Sequence, residues 1–323
     1  MNKIHHSLLI SKLSTAYLIV IVVLSSSGCI YMMDFGKEPR ETWKTSEFKK
    51  TSIPSSAQTS HPSLPTNRRR YALVIGNGEY QEIGILSNPK NDASAIAERL
   101  RKSGFSILRP VRADQDVQSD LTREEMIIAD EALKQVSKGA EIVLLFYAGH
   151  GLQLNGKPYL VPVNVQKEAI QNLSTSKGRE DFEGQLVMLD DFIDGLDKES
   201  ALAIAIFDAC REIPALKTRG IFAGSGNSFR GGLTNPQSMG KRRVLAFSAG
   251  FGELAEDGTG QHSPYAQSFL DEFDRDANQE VTDFFRRVQT RMIDKIKQAP
   301  ELSIQGRVPP GIFFFGNSNS FTN

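Results

Sequence analysis

The sequence predicts an α/β fold in which a mainly parallel central sheet carries helices on both faces. First, near-continuous apolar runs occur at Tyr71–Ile75, Glu141–Tyr147 and Leu202–Phe207. Second, segments with apolar residues at helical spacing lie between these runs. Third, small or turn-forming residues follow each run. Strands that are buried on both faces read as unbroken apolar runs, so this alternation indicates parallel strands covered by helices.

The first apolar run ends at a Gly-Asn-Gly turn, which is followed by a predicted helix. The helix should begin near Pro89, with Asn88 or Asn91 as its cap, and it should end before Gly104. The apolar face of this helix is predicted to comprise Ala93, Ile96, Ala97 and Leu100. Phe105–Leu108 is the next predicted strand.

A second helix is predicted from residues at helical spacing, which are Leu121, Ile128, Ala132 and Val136. A third helix is predicted near Leu189–Leu196, between the two later apolar runs. The remaining predictions are strands at Val244–Phe247 and Gly311–Phe315 and helices near Tyr265–Phe273 and Thr282–Lys297.

The composition of the 323 residues is typical of a globular protein, with 40% hydrophobic and 24% charged residues. Lys and Arg number 38, as do Asp and Glu, so the formal net charge is zero. A neutral chain has no general electrostatic attraction for nucleic acid, which is therefore not an expected partner. The two cysteines, Cys29 and Cys210, form no CxxC pair, which excludes a thiolate zinc cluster or redox motif.

Residues 1–33 have the order of an export signal, because basic residues precede the apolar run Ala16–Leu24 and small residues follow it. With Gly28 directly before Cys29, this segment resembles a bacterial lipoprotein lipobox, which implies that Cys29 carries the lipid. Ser26 stands where a lipobox usually has Leu. The alternative is an uncleaved anchor, because Leu13–Met33 has no charge and is about the 20 residues that a bilayer span needs.

Either interpretation places the body of the protein in the cell envelope, attached to a membrane by a lipid or an anchor. The residue after Cys29 is Ile30 rather than the Asp that often signals inner-membrane retention, so the periplasmic side of the outer membrane is favoured. Residues 34–70 are rich in polar residues and proline, without a hydrophobic period. They are predicted to be a disordered tether.

Two predicted strand ends carry reactive side chains. One is Tyr147-Ala148-Gly149-His150-Gly151 and the other is Asp208-Ala209-Cys210-Arg211. Parallel strands bring their carboxyl ends to one edge of the sheet, where α/β proteins bind ligands. A thiol and an imidazole can become neighbours there, and an imidazole activates a thiol as a nucleophile.

These two motifs, with the strand Tyr71–Ile75 and the segment Asn88–Ala93 before them, resemble the caspase superfamily. The nearest members are bacterial caspase-like and metacaspase-type peptidases. The resemblance implies a caspase-like sandwich over residues 71–316, followed by a tail at 317–323. It also implies peptide or protein substrates and no cofactor.

The resemblance implies a Cys-His dyad in which Cys210 is the nucleophile and His150 is the general base and acid. The backbone N–H groups of Gly151 and Cys210 are the candidates for the oxyanion hole. No Asn or Asp is evident as an orienting residue for His150. The other histidine considered, His262, lies in a loop with no strand end to position it, so it is not favoured as the base.

Caspases carry Gln two residues before the nucleophile, whereas Asp208 stands there in this chain. In metacaspases this position and the Asp of the Asn-Asp-Ala segment line the S1 pocket, which implies Asp208 and Asp92. Two acids would attract Arg or Lys, so cleavage after a basic P1 residue is predicted. The alternatives are a helix N-terminal acid for Asp92 and a loop-capping carboxylate for Asp208.

Asp190 and Asp191 resemble the paired acids at the calcium site of some metacaspases. Asn164 and Lys217 stand where two further acids would fall, and adjacent acids at a helix start are usually caps. No metal is therefore favoured, and calcium activation stays open. A non-catalytic binding or signalling module with the same fold remains the alternative to an active endopeptidase.

Overall fold

Strands and helices alternate along the residues that the computed structural model describes, which are 69–194, 196, 200–209, 229–237, 240–296 and 298–308. All of them belong to one unit, Pro62–Asn323. The signal segment with Cys29, the tether up to residue 68, Cys210 and the predicted strand Gly311–Phe315 lie outside the described residues.

The strands are β1 Arg70–Gly76, β2 Ser106–Ile107, β3 Gln118–Ser119, β4 Ile142–Ala148, β5 Gly151–Leu154, β6 Lys157–Leu160, β7 Val187–Met188, β8 Leu202–Asp208, β9 Phe229–Gly231, β10 Arg242–Phe247 and β11 Glu301–Gly306. The described helices are α1 Pro89–Lys102, α2 Arg123–Ser137, α3 Lys167–Gln171, α4 Ser176–Glu183, α5 Leu189–Ile193, α6 Pro264–Arg275 and α7 Val281–Ile296.

The central sheet has the strand order β11-β10-β8-β4-β1-β2, with β3 also paired to β1. Every pairing in it is parallel except that of β10 with β11. Because β2 and β4 flank β1 on opposite sides, the chain reverses its direction of travel across the sheet at β1. The carboxyl edge beside such a reversal is where open α/β sheets bind ligands.

The central sheet is buried on both faces. Leu144 and Phe146 of β4 pack with α1, α6 and α7 on one face. Val143 and Leu145 pack with α2 and α5 on the other. The alternation along a strand sends successive side chains to opposite faces, so an unbroken apolar strand supplies both cores. The predicted α/β fold with helices on both faces is confirmed.

A second sheet, which the sequence did not predict, is antiparallel and has the strand order β7-β6-β5-β9. It packs with α3 and α4 over a third core that includes Tyr80 and Phe182. Its strand β5 begins at Gly151, two residues after Gly149, so this sheet fixes the direction in which the chain leaves β4.

The second predicted helix is present as α2, but the apolar residues that predicted it do not form its buried face. Met126, Ala129 and Leu133 are buried, whereas Ile128 is 53% exposed and Ala132 and Val136 are only half-buried. A capping box, in which Thr122 and Glu125 satisfy each other's backbone N–H groups, marks the start of the helix. The helix therefore begins at Arg123, and Leu121 lies outside it.

One boundary and one capping contact differ from the prediction. β1 begins at Arg70, which was assigned to the tether, because Arg70 is buried over the ring of Phe105 and pairs with Glu141. Asn88 occupies the N-cap position of α1 but makes no capping bond, and its side chain donates to the Asp257 carbonyl at 2.5 Å. α1 ends at Lys102 before Gly104, at φ +83°, as predicted.

Candidate active site

His150 lies between the end of β4 and the start of β5, and it is fully buried. Its backbone N–H donates to the Tyr80 hydroxyl at 2.8 Å. Its carbonyl accepts from the Tyr147 hydroxyl at 3.0 Å and from the Val161 N–H at 3.1 Å. The centroids of the Tyr80 and His150 rings are 4.6 Å apart. Two tyrosines and the second sheet therefore hold the backbone and the ring of His150.

The imidazole of His150 has its Nε2 atom 3.3 Å from the carbonyl oxygen of Gly84. A carbonyl only accepts hydrogen bonds, so this contact assigns the hydrogen to Nε2 and the lone pair to Nδ1 in the neutral ring. A backbone carbonyl thus takes the orienting role that a carboxylate or amide takes in a triad. This arrangement is consistent with a dyad.

Two glycines allow the chain to pass through this crowded site. A Cβ atom on Gly149 would lie 2.6 Å from the Tyr80 hydroxyl and 2.7 Å from the Tyr147 hydroxyl. A Cβ atom on Gly151 would lie 3.2 Å from the Cβ of Ala209. Any side chain at Gly149 would displace the tyrosines that hold His150. Gly151 packs directly against the strand end that leads to Cys210.

The parallel register of β4 and β8 pairs Ala148 with Asp208. The N–H of Gly149 donates to the Asp208 carbonyl at 3.2 Å, which ties the two strand ends together. Ala209 is fully buried, and its carbonyl accepts from the Ser248 hydroxyl at 3.2 Å. The next residue is Cys210, which lies outside the described residues. The roles of Cys210 and of the Gly151 and Cys210 N–H groups stay predictions.

Asp92 and Asp208, the predicted S1 acids, are both fully buried. Asp92 lies in the first turn of α1, and Asp208 is the last residue of β8. Ser263 contacts both of them. Its N–H lies 3.2 and 3.3 Å from the two carboxylate oxygens of Asp92, and its hydroxyl lies 2.5 Å from Oδ2 of Asp208. The structure thus gathers the two acids at one place, and their substrate role stays a prediction.

His262 lies beside this acid pair, with its Nδ1 atom 2.8 Å from Oδ1 of Asp92. Burial, together with the positive charge of Arg99, lowers the pKa of the His262 imidazole. The ring is therefore neutral at neutral pH, and Nδ1–H donates to the carboxylate. The sequence reasoning did not identify His262 or Ser263 with these acids. The Ser-Pro pair at 263–264 is a recognisable helix start, but it does not reveal which side chains the serine contacts.

Asp190 and Asp191 lie in the first turn of α5, as expected of residues that complement a helix dipole. The backbone carbonyl of Asp191 accepts from Lys134 at 2.8 Å. Asn164 accepts from the Arg123 N–H at 3.1 Å, and Lys217 lies outside the described residues. Within the described part of the chain, no group of three or more His, Cys, Asp or Glu side chains is arranged to hold a metal ion.

None of the helices in the described ranges is both long and apolar enough to cross a membrane. The apolar segment Ala16–Leu24 and the predicted lipidation site Cys29 lie outside these ranges. Membrane attachment therefore stays a prediction from the sequence.

Comparison with known proteins agrees with the geometry. The family model of the caspase domain, peptidase family C14, matches residues 69–307. The match includes the central sheet, both strand ends and α6. The chain therefore belongs to the caspase-domain peptidase family.

Two curated relatives match part of this chain. The human mucosa-associated lymphoid tissue lymphoma translocation protein 1 is 30% identical over 149 residues. The mouse homologue of that protein is also 30% identical over 149 residues. The match covers 46% of this chain and 16% of each relative. The chain is thus similar to a small part of these proteins.

Proposed function

We propose that this protein is a cysteine-type endopeptidase of the caspase and metacaspase type that cleaves polypeptides after Arg or Lys. The observation that carries the proposal is the placement of His150. It is buried at the carboxyl edge of the sheet, oriented by the Gly84 carbonyl, and its neighbour Gly151 packs against the residue that precedes Cys210.

In the proposed reaction, Nδ1 of His150 takes the proton from the Cys210 thiol, and the thiolate attacks the carbonyl carbon of the scissile peptide. A C–S bond forms, and the N–H groups of Gly151 and Cys210 stabilise the oxyanion. His150 then protonates the leaving amine as the C–N bond breaks. His150 then takes a proton from water, which attacks the thioester carbonyl. The C–S bond breaks, the carboxylic acid product leaves, and the imidazolium returns its proton to the Cys210 thiolate.

The preference for a basic P1 residue follows from the acid pair. Asp92 and Asp208 approach the same serine at the edge of the sheet where β8 leads to the proposed nucleophile. Buried carboxylates attract a guanidinium or ammonium group much more strongly than solvated ones, and they repel an acidic P1 side chain. This supports cleavage after Arg or Lys rather than after Asp.

The proposal places the enzyme in the cell envelope, attached through a lipid on Cys29 or through an uncleaved anchor. The order of residues 1–33 supports this part of the proposal. A thiol enzyme in that location requires that Cys210 has no disulfide partner, and lipidation of Cys29 meets this requirement.

The test is hydrolysis of matched fluorogenic peptides that differ only in the P1 residue, which is Arg, Lys or Asp. The full chain and its Cys210→Ala variant are assayed with calcium and with a chelator. We expect cleavage after Arg and Lys, none after Asp, and none by the variant. A folded wild-type chain that cleaves no peptide in either condition would contradict the proposal and favour a non-catalytic module.

A further inference from the structure

Three distant parts of the chain meet at Ser263. Asp92 belongs to α1 and is 171 residues away, and Asp208 ends β8 and is 55 residues away. Ser263 itself is the N-cap of α6, and its hydroxyl accepts from the Ala266 N–H at 2.9 Å. One serine therefore connects a helix start, a strand end and the first turn of a second helix.

The two partners of the Ser263 hydroxyl determine which bond it donates and which it accepts. A hydroxyl has one hydrogen to donate and two lone pairs. Because one lone pair accepts the Ala266 N–H, the hydrogen is directed to Oδ2 of Asp208, at 2.5 Å. The backbone N–H of Ser263 donates to Asp92 instead. The serine thus donates to both acids while it caps its own helix.

His262 adds a second donor to Asp92. Its Nδ1–H lies 2.8 Å from Oδ1, and its side chain is 20% exposed. The Ser263 hydroxyl, the Ser263 N–H and the neutral imidazole are all uncharged. They orient the carboxylates without cancelling their negative charge. A lysine or arginine in the place of His262 would orient Asp92 equally well, but it would compete with a basic substrate side chain.

We propose that His262 and Ser263 are positioning residues for P1 specificity, which hold Asp92 and Asp208 in one geometry so that both face a single guanidinium group. This inference rests on the proposed function for the identity of the pocket. It adds that specificity depends on a dipeptide at the start of α6 that touches the acids and does not touch the scissile bond.

The test compares peptides that end in Arg with matched peptides that end in citrulline, the uncharged isostere of arginine. Ser263→Ala removes the hydroxyl, and Ser263→Thr restores it. His262→Leu removes the donor, and His262→Gln replaces it with an amide N–H. Thr122→Ala is the matched control, because it removes the N-cap of α2, which lies on the other face of the sheet.

Two readouts separate the inference from the proposed function. The first is the ratio of kcat/KM for Arg over citrulline in the full chain. The second is the ratio of Kd values for the same two peptides, fluorescein-labelled and measured by polarisation on chains that also carry Cys210→Ala. Binding does not require turnover, so the second readout reports on the acid pair even when no peptide is cleaved.

We expect Ser263→Ala and His262→Leu each to lower the Arg preference about tenfold in both readouts, which is the size of a lost hydrogen bond to a charged group. The change should appear in KM for the Arg peptide, with kcat on the citrulline peptide unchanged. Ser263→Thr and His262→Gln should recover most of the preference, and Thr122→Ala should keep all of it.

The inference is overturned if folded Ser263→Ala and His262→Leu chains keep the wild-type Arg preference, or if Thr122→Ala lowers it equally. It is also overturned if the Cys210→Ala chain binds both peptides alike. If the Cys210→Ala chain prefers the Arg peptide in binding while the wild-type chain cleaves neither peptide, the proposed function alone is contradicted. In that case the binding ratios of the variants still decide the inference.

Discussion

His150 and the Asp92–Asp208 pair lie at the same edge of the sheet, but the protein holds them in different ways. His150 is held by several unrelated groups, among them the hydroxyls of Tyr80 and Tyr147 and the carbonyl of Gly84. Four hydrogen bonds to the acids come from one dipeptide, His262-Ser263. The described contacts of His150 thus come from several parts of the chain, whereas four described contacts of the acid pair come from two adjacent residues. The two should fail separately when they are mutated.

The largest expected effect is at the dyad. His150→Ala should lower kcat about 10³-fold or more, since it removes the general base and acid together. Cys210→Ala should remove activity completely. Both variants should still bind the Arg peptide in preference to the citrulline peptide, because the acid pair is intact. Steady-state kinetics and polarisation measure this. A His150→Ala chain with near wild-type kcat would show that another group is the base.

Asp208→Asn tests the other half of the comparison. It removes one of the two negative charges while keeping the size of the side chain. We expect kcat/KM for the Arg peptide to fall about 10-fold to 100-fold, as for a lost charge-assisted hydrogen bond. The value for the citrulline peptide should stay within about twofold, since no charge is recognised there. Equal losses on both peptides would instead mean that Asp208 supports the nucleophile loop.

Tyr80→Phe sharpens the comparison from the catalytic side. It keeps the ring against His150 and removes the hydroxyl that contacts the His150 N–H and the Val161 carbonyl. One neutral hydrogen bond contributes about 1 kcal/mol, so we expect kcat to fall about fivefold with KM and the Arg preference unchanged. An altered Arg preference would mean that the two sites are coupled.

The pH dependence of the Arg preference distinguishes the sites again. Because burial and Arg99 lower the pKa of His262, the ring is neutral at pH 7 and gains a proton only in more acidic solution. The positive ring would then offset the charge of Asp92. We expect the Arg over citrulline ratio of kcat/KM to fall from pH 7 to pH 5, and to fall less in His262→Gln. Titration of the dyad affects the cleavage of both peptides equally, so it does not change this ratio.

Asp130 has the smallest expected effect on activity, and it serves as a control outside both sites. Burial raises the pKa of this α2 carboxyl to about 6, although the hydrogen bond and the charge of Lys134 lower it. A carboxyl whose pKa is raised on folding favours the protonated form, so its contribution to stability falls as the pH rises from about 4 to about 6. Asp130→Asn should stabilise the protein at pH 8 by up to about 2 kcal/mol. The kcat/KM values for the Arg and citrulline peptides should not change. Thermal melts at pH 4 and pH 8 measure this, and a destabilised variant at pH 8 would contradict it.

The central sheet could be predicted because each of its long parallel strands is a continuous apolar run, such as β4 and β8. The buried face of α2 could not be read from apolar spacing alone, because Ile127 and Ile128 are exposed while Asp130 is buried. The second sheet was missed because β5 and β6 are four residues long and carry polar residues. Short strands are specified by their partners more than by their own pattern.

In the site, too, some features follow from the local sequence pattern and others depend on distant partners. His150 could be predicted because the edge of a parallel sheet follows from the order of the strands. The contacts of His262 and Ser263 with Asp92 join residues about 170 positions apart. Periodicity is local, so it predicted a helix near Tyr265–Phe273 but not the contacts made at its start. Which side chains meet there is decided by the packing of α6 against α1.

The most direct test of the central claim uses a peptide chloromethyl ketone with Arg at P1, followed by mass spectrometry of the digested full chain. The chain has two cysteines, Cys29 and Cys210, so the site of alkylation is unambiguous. We predict rapid alkylation of Cys210 that is lost in His150→Ala and slow with a matched Asp reagent. An unmodified Cys210 in folded wild-type protein, or equal rates with and without His150, would contradict the account.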